Sequence, residues 1–412
     1  MLLPPAEEAL YVLARLEAAG FDAWLVGGCV RDLVRGEAPA DYDIASACPP
    51  ARVTELFAKV IATGLKHGTV TVLCGDRALE VTMFRTESGY SDGRRPDSVV
   101  PARRIEDDLA RRDFTVNAMA WQPGRGLCDP FGGRLDLEAK RIRAVGDPAA
   151  RFGEDALRIL RAFRFSSRLD FDIEESTLRA ALVGAGGLSR ISAERIFAEL
   201  KKTLGGVRPD ALAPLIAAGG LMRAGLPAGN ADLSPIRRLP ADVPHQRNTH
   251  SSSATVLGLS LRFTALCRIA GAQAADVCAA LKADKAFARA CARIVEAAAL
   301  PPPNKITEVR RRLSEFPADA VRGGLWLREA LYSEPPEQAL AWIDEAEALR
   351  QPVRIADLRV RGGDILALGC PPSMVGAVLR ALLERVLEDP ARNERDMLLT
   401  QAKRFIEEGG GI

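Results

Sequence analysis

Asp41 and Asp43 stand one residue apart in "ADYDIA". Side chains on a strand alternate faces, so both carboxylates point one way while Tyr42 and Ile44 point into the core. Two carboxylates this close repel each other unless a cation sits between them, and their hard oxygens suit magnesium. Glu80, in "ALEVTMF", has Leu79 and Val81 on the opposite face; a hairpin laid beside the Asp strand would bring a third carboxylate to one or two metal ions. An exposed strand with solvated acids has the same spelling, so D-x-D alone does not decide. Just upstream, an apolar strand ends in Gly27-Gly28 and a helix opens at "CVRDLV". Bare backbone N–H groups and a helix N-terminus are thereby presented to a polyphosphate, with Arg31 a cation one turn in. One part of the segment can seat a nucleotide's phosphates and the other the metal that polarises them, as in-line nucleotidyl transfer requires.

A second set lies in "EDALRILRAFR". On a helix predicted over residues 153–169, Asp155, Arg158, Arg161 and Arg164 form a slowly turning polar stripe, with Leu157, Leu160 and Phe163 facing elsewhere. An exposed ladder of ion pairs fits this pattern. Beside a nucleotide pocket it has another use: an aspartate accepts from an exocyclic amino group while an arginine donates to a ring nitrogen or carbonyl oxygen. Cytosine and adenine both present an amino group there, whereas uracil and guanine present a carbonyl.

The elements that must position these residues follow from periodicity. Residues 5–19 have helical spacing, and "DAWLVGG", "DYDIA", "TVTVLCG" and "ALEVTMF" are short β-type runs, the last two a hairpin with Gly75-Asp76-Arg77 at the bend. From about residue 148 onward the runs repeat apolar residues at three-to-four spacing, so the remainder reads as all helical. The fold class is α+β: a small mixed-sheet head followed by helices. At 412 residues the chain is too long for one ordinary core. Proline-rich breaks at about 225–250 and 299–304 mark boundaries within the helical half, and no fixed-period repeat favours a solenoid.

Net charge is only +2, so a polyanion would be held by local basic surfaces, with Arg310-Arg311-Arg312 and Lys201-Lys202 as candidates beside the alternative of solvated helix faces. Eight cysteines without a C-x-x-C pair, and an N-terminus without a signal pattern, read as a reduced, cytoplasmic protein. No apolar stretch is long enough for a membrane span. Only three histidines occur and H-E-x-x-H is absent, which argues against zinc hydrolysis.

With these residues in view, the chain resembles the class II tRNA nucleotidyltransferase and bacterial poly(A) polymerase group of the DNA polymerase β-like superfamily. Besides the G-G and D-x-D elements, "EDDLARRDFTVNAMAW" (106–121) resembles its R-R-D motif. "GEDALRILRAFRFSSRL" (153–169) is similar to its E-D-x-x-R-x-x-R motif, and "ISAERIFAELKKTL" (191–204) to its S-x-E-R helix. Residues 358–390 resemble the tail of CCA-adding members.

The resemblance implies metal binding by Asp41 and Asp43, with Glu80 the third carboxylate and Mg2+ the cofactor. It places Gly28 and Arg31 on the triphosphate, Asp113 and Asn117 near the ribose, and Arg112 beside the incoming base. Asp155 and Arg158 become a protein template, supported by Arg161 and Arg164. Glu194 and Arg195 are expected to brace the neck. The implied partners are the tRNA 3′ end, CTP and ATP, and the implied activity is addition of C, C and A without a nucleic-acid template. The division would be a head over 1–145, a neck over 146–206, a body over 207–340 and a tail over 341–412. The loop "RTESGYSDGRRPDSVVPARR" (85–104) would help switch the pocket from C to A, its "DGRRPD" fitting full CCA-adding enzymes. Gly68-Thr69-Val70 replaces the G-[RK]-[RK]-F element of poly(A) polymerases. His67 is expected to be structural, and His245 and His250 to lie in a loop. CC-only, A-only or poly(A) addition are the near alternatives, and a non-catalytic RNA-binding protein the remote one.

Overall fold

Ala9, Val12, Leu13 and Leu16 recur at helical spacing, and all four are buried in α1 (Glu7–Ala18). The computed structural model describes residues 2–64, 68–89, 98–241 and 252–407. After α1 come β1 (Ala23–Val26), α2 (Gly28–Val34), β2 (Tyr42–Ser46), α3 (Pro50–Leu56), β3 (Val60–Gly64), β4 (Thr69–Cys74) and β5 (Arg77–Met83). Then follow β6 (Arg85–Ser88), β7 (Ser98–Pro101), α4 (Ile105–Ala110), β8 (Ala120–Gln122), β9 (Gly126–Cys128), α5 (Gly133–Glu138) and β10 (Arg141–Ile142). Seven of these strands form one sheet in the order β3-β4-β5-β2-β1-β8-β9.

Strand β2 is central and parallel to β5, a register that sets Asp43 beside Glu80. Hairpin β4–β5 turns on Gly75-Asp76, with Gly75 at φ +56°; Arg77, expected in the bend, already pairs with Cys74 in the ladder. Tyr42, Ile44, Leu79 and Val81 are buried, so the acids between them lie on the other face, as alternation requires.

Helices dominate the rest: α6 (Pro148–Glu154), α7 (Leu157–Leu169), α8 (Glu175–Val183), α9 (Ala193–Leu204) and α10 (Ala213–Ala217). Two expectations need correction here. The helix over 153–169 is broken, because Asp155 is extended (φ −143°, ψ 106°) and its carboxylate accepts from the Leu157 N–H at the start of α7, the usual use of an aspartate at a helix entrance. The all-helical region also holds a strand, β11 (Asp172–Ile173), parallel to β10. Between α7 and α9 the Arg164 Nε donates to the Glu199 carboxylate at 2.6 Å, with both residues buried.

The chain divides into two compact units, Met1–Leu233 with Ala280–Lys282, and Ser234–Ala279 with Ala283–Ile412. The second contains α11 (Ser252–Ile269), α12 (Ala274–Ala280, its last residue in the first unit), α13 (Lys285–Ala299), α14 (Ile306–Glu315), α15 (Ala318–Tyr332) and α16 (Glu337–Ala348). It ends with α17 (Gly362–Ala367), α18 (Val375–Glu388) and α19 (Arg395–Glu407). Helices α13 and α15 approach closely at Gly324, where a Cβ would lie 2.8 Å from the Ala298 nitrogen. The basic run of α14 is structural: Arg310 and Arg312 are buried, Arg310 Nη1 donates to the Leu387 carbonyl at 3.2 Å, and Arg311 Nε to Glu384 at 2.9 Å. Arg310 is thus spent on α18 and Arg312 is buried, which withdraws both from the surface that the sequence alone offered to a polyanion, while Arg311 stays partly exposed in its pair with Glu384.

Removing one partner of a buried ion pair strands the other without hydration. Glu199→Ala is therefore expected to lower unfolding free energy by about 3 kcal/mol, read by chemical denaturation, and Arg164→Met in the same chain to restore part of it.

Candidate active site

The central strand fixes the acids. Asp41 immediately precedes β2, Asp43 lies within it, and Glu80 is Asp43's register partner on β5. All three side chains reach solvent, yet the Asp43 carboxyl sits in a concave wall. Its pKa is raised, first by loss of hydration, then by Glu80 and less by Asp41, against a lowering contribution from Arg112. Unbalanced negative charge is thus concentrated at this point of the sheet.

Beside it, β1 ends at Val26 and the chain turns into α2 at Gly27, with φ +75° and ψ −130°. A side chain there would be strained, and its Cβ would lie 2.7 Å from Arg112 Nη1, so the glycine is needed for the turn and for the guanidinium alike. Arg112 also donates to Asp108 at 3.1 Å. The structure places Arg112 between the Asp108 carboxylate and the glycine turn, at the Asp43 end of the site.

A hydrogen-bonded chain crosses the floor. Buried Arg31 donates through Nη1 to Asn117 Oδ1 at 2.8 Å, Asn117 Nδ2 donates to Asp113 at 3.4 Å, and Arg161 Nε donates to Asp113 at 2.7 Å. Burial alone would raise the Asp113 pKa, but Arg161, then Arg158 and the Phe114 N–H, outweigh it and hold the carboxyl below its ordinary range. Asp113 stays charged because its partners are built in. Phe165 anchors the same floor: the Arg164 guanidinium lies 3.9 Å from its ring centroid, with Arg161 and Arg31 at 5.6 and 5.8 Å.

At the other end, Asp155 accepts from Arg195 Nη2 at 2.9 Å as well as from the Leu157 N–H. Arg158 is held by Glu154 and donates to the Arg111 carbonyl at 3.2 Å. Each keeps spare capacity, since a carboxylate offers about four acceptor positions and a guanidinium five donors.

A cleft of about 660 Å3 joins these parts. Gly28, Arg31, Asp41, Asp43, Arg112, Asp113, Asn117, Asp155, Arg158, Arg161 and Arg164 all line it; Glu80 lies just beyond, in a smaller cavity that also borders Asp43. Sequence reasoning missed Phe165, Arg168, Arg111 and the buried Asp108 that fixes Arg111 and Arg112. It read Arg195 as a neck brace only. Phe165 and Arg168 continue the three-to-four spacing of Arg158, Arg161 and Arg164, a signal that was present. Asp108 had none beyond its place beside the R-R-D motif. His67, residues 90–97 with "DGRRPD", His245 and His250 lie outside the described residues.

Among the described residues no three His, Cys, Asp or Glu side chains gather tightly enough to hold an ion unaided. Asp41, Asp43 and Glu80 nevertheless fit magnesium: the donors are all hard oxygens, their charge is underbalanced, and such ions usually share protein carboxylates with substrate phosphates.

A raised carboxyl pKa means that the folded chain pays to ionise Asp43. Without metal, Asp43→Asn should raise the melting temperature at pH 7. The gain should vanish as pH falls through the Asp43 titration, where the wild-type carboxyl is already neutral. Asp113→Asn should do the opposite, losing stability at pH 7. Thermal melts in chelator at several pH values check both signs.

Residues 23–143 match the model of the poly A polymerase head domain, and residues 170–233 that of the probable RNA and SrmB-binding site of polymerase A. A CCA-adding enzyme of Limosilactobacillus fermentum is 34% identical over 406 residues, 97% of each chain. A CCA-adding enzyme of Pediococcus pentosaceus is 51% identical over 204 residues, so that alignment spans about half of both chains, 50% of this one and 52% of the relative. Among solved structures, that of the Bacillus stearothermophilus CCA-adding enzyme in complex with CTP superposes with a TM-score of 0.78 at 32% identity, covering 98% of this chain and 99% of that one. A head of this sheet topology, an acid pair beside a glycine turn, and likeness along nearly the whole chain lead to one assignment: the chain belongs to the CCA-adding enzyme family of nucleotidyltransferases.

Proposed function

We propose that this chain adds C, C and A, from CTP and ATP, to the 3′ end of tRNA and releases pyrophosphate, choosing the nucleotide with protein side chains. The observation that carries the reading is the register pairing of Asp43 with Glu80 beside the Gly27 turn, in a cleft whose far end holds Asp155 and Arg158. Asp41 and Asp43 would hold magnesium, with Glu80 the third carboxylate. When bound, the ion would polarise the α-phosphate and balance charge on the departing pyrophosphate.

The remaining roles follow from the chain's own groups. Gly28 and Arg31 hold the triphosphate against the start of α2. Arg112, beside Gly27 and Asp43, contacts the incoming nucleotide there. Asn117 and Asp113 face the ribose, Asp113 largely by keeping Arg161 and Asn117 in place. Asp155 accepts from the amino group of cytosine or adenine while Arg158 donates to the adjacent ring nitrogen. Uracil and guanine would set a carbonyl against the Asp155 carboxylate, an unpaired contact that costs binding. Arg195, by bonding Asp155, keeps the reading edge in register. We read the head, neck, body and tail as 1–145, 146–206, 207–340 and 341–412. No helix among the described residues is long and apolar enough to cross a membrane.

Incubation with tRNA lacking its three terminal nucleotides, magnesium and labelled CTP and ATP tests the reading. The chain should add three residues and stop. A long adenosine ladder would assign it to poly(A) addition, and arrest after two cytidines to CC addition. Asp43→Ala should reduce incorporation on the order of a thousandfold with tRNA affinity kept. Asp155→Asn, whose amide can also donate, should raise UTP use relative to CTP at least tenfold; unchanged selectivity would remove Asp155 from base reading.

A further inference from the structure

Three guanidiniums converge on one side chain. The Arg164 Cζ lies 3.9 Å from the centroid of the Phe165 ring, that of Arg161 at 5.6 Å and that of Arg31 at 5.8 Å. Arg161 and Arg164 come from α7, the helix that also carries Phe165, whereas Arg31 comes from α2. The ring is only 5% exposed, yet it borders the cleft, as do all three arginines and Arg168. Phe114 fixes the ring's own setting in a T-shaped pair, centroids 5.7 Å apart and planes at 75°.

Like charges brought this close repel, more so where water is excluded. Burial is the main cause that holds the Arg164 pKa below its ordinary value, and Arg161 adds to it against the opposing Glu199. Two devices offset the repulsion. The first is a carboxylate for each cation: Asp32 beside Arg31, Asp113 beside Arg161 and Glu199 beside Arg164. Each takes N–H donors from its guanidinium. The second is the ring, whose negative face attracts cations through its quadrupole and takes none of the donors in the guanidinium plane. Three carboxylates already match these three arginines in charge, so a fourth in the ring's place would add repulsion against a polyphosphate. The ring holds the guanidiniums without that charge.

We propose that Phe165 is a positioning residue for the triphosphate: its π face fixes the Arg31, Arg161 and Arg164 guanidiniums along the cleft floor, with donors left for phosphate oxygens. The assignment rests on the nucleotide-binding reading above. It sets Phe165 apart from the base-reading pair, because the three arginines answer charge common to CTP and ATP, while Asp155 and Arg158 answer the base. A phenylalanine that only fills a core acts through size and hydrophobicity, whereas a positioning ring acts through its electrons. Fluorination separates the two, since it withdraws electrons from the ring face, leaves the shape nearly unchanged and makes the side chain more apolar.

Calorimetric titration of the full chain in magnesium, with CTP, ATP and inorganic tripolyphosphate as separate ligands, tests the assignment. Replacing Phe165 with mono-, di- and trifluorophenylalanine should weaken all three ligands stepwise and by the same factor, reaching about tenfold for the trifluoro ring, while the melting temperature holds or rises. Phe165→Leu, apolar but without a ring, should lose at least as much. Affinities that stay level or rise with fluorination overturn the assignment and leave Phe165 a core side chain. Loss confined to CTP and ATP, with tripolyphosphate unmoved, also overturns it, because the ring would then act on the base. A wild-type chain that binds tripolyphosphate with this trend but neither nucleotide overturns the proposed function and leaves the ring assignment standing. One that binds no tripolyphosphate overturns the ring assignment itself.

Discussion

Like charge held together on the central strand is the constraint from which the site follows. Parallel pairing of β2 with β5 puts Asp43 beside Glu80, and neither acid can move away without shifting buried Ile44 or Val81 to the wrong face. The repulsion is therefore fixed by the hydrophobic face of the same strands. In the proposed function a divalent ion and a polyphosphate would resolve it together, so the cost of folding an acidic cluster would be returned on substrate binding. Sheet order matters for this: β1, which leads into the glycine turn, is the other neighbour of β2, so the backbone proposed to seat phosphate and the carboxylates proposed to hold metal stand on adjacent strands.

The second design element is prior pairing of guanidiniums. Asp108 holds Arg111 and Arg112, Asp113 holds Arg161, Glu199 holds Arg164, Glu154 holds Arg158 and Asp155 holds Arg195. Each carboxylate sets an orientation while leaving donors on its partner for a ligand. A strongly anionic substrate can thus be bound by a chain whose overall charge is only +2, because the positive groups are arranged locally and aimed before the substrate arrives.

Much of this was legible in the sequence, for identifiable reasons. Alternation in "DYDIA" and "ALEVTMF" gave the facing of Asp41, Asp43 and Glu80, because a buried face allows a strand a single register. The hairpin and the run of helices followed from periodicity. The break at Asp155 did not, since its apolar neighbours keep helical spacing while its carboxylate competes for the Leu157 N–H. The two-residue pair β10–β11 was too short for any alternation to register. Asp108 and Glu199 were invisible as organising residues because their meaning lies in partners brought close only by the fold. Arg310 reversed its apparent meaning for the same reason: a basic run looks like a surface until α18 closes over it.

A crystal grown with CTP and Mn2+ and measured for anomalous scattering shows directly where ion and nucleotide meet. Manganese peaks at coordination distance from Asp41 and Asp43, shared with triphosphate oxygens lying along the Gly27 turn and with cytosine facing Asp155, are the expected result. Peaks away from Asp43, or a triphosphate bound outside this cleft, would contradict it.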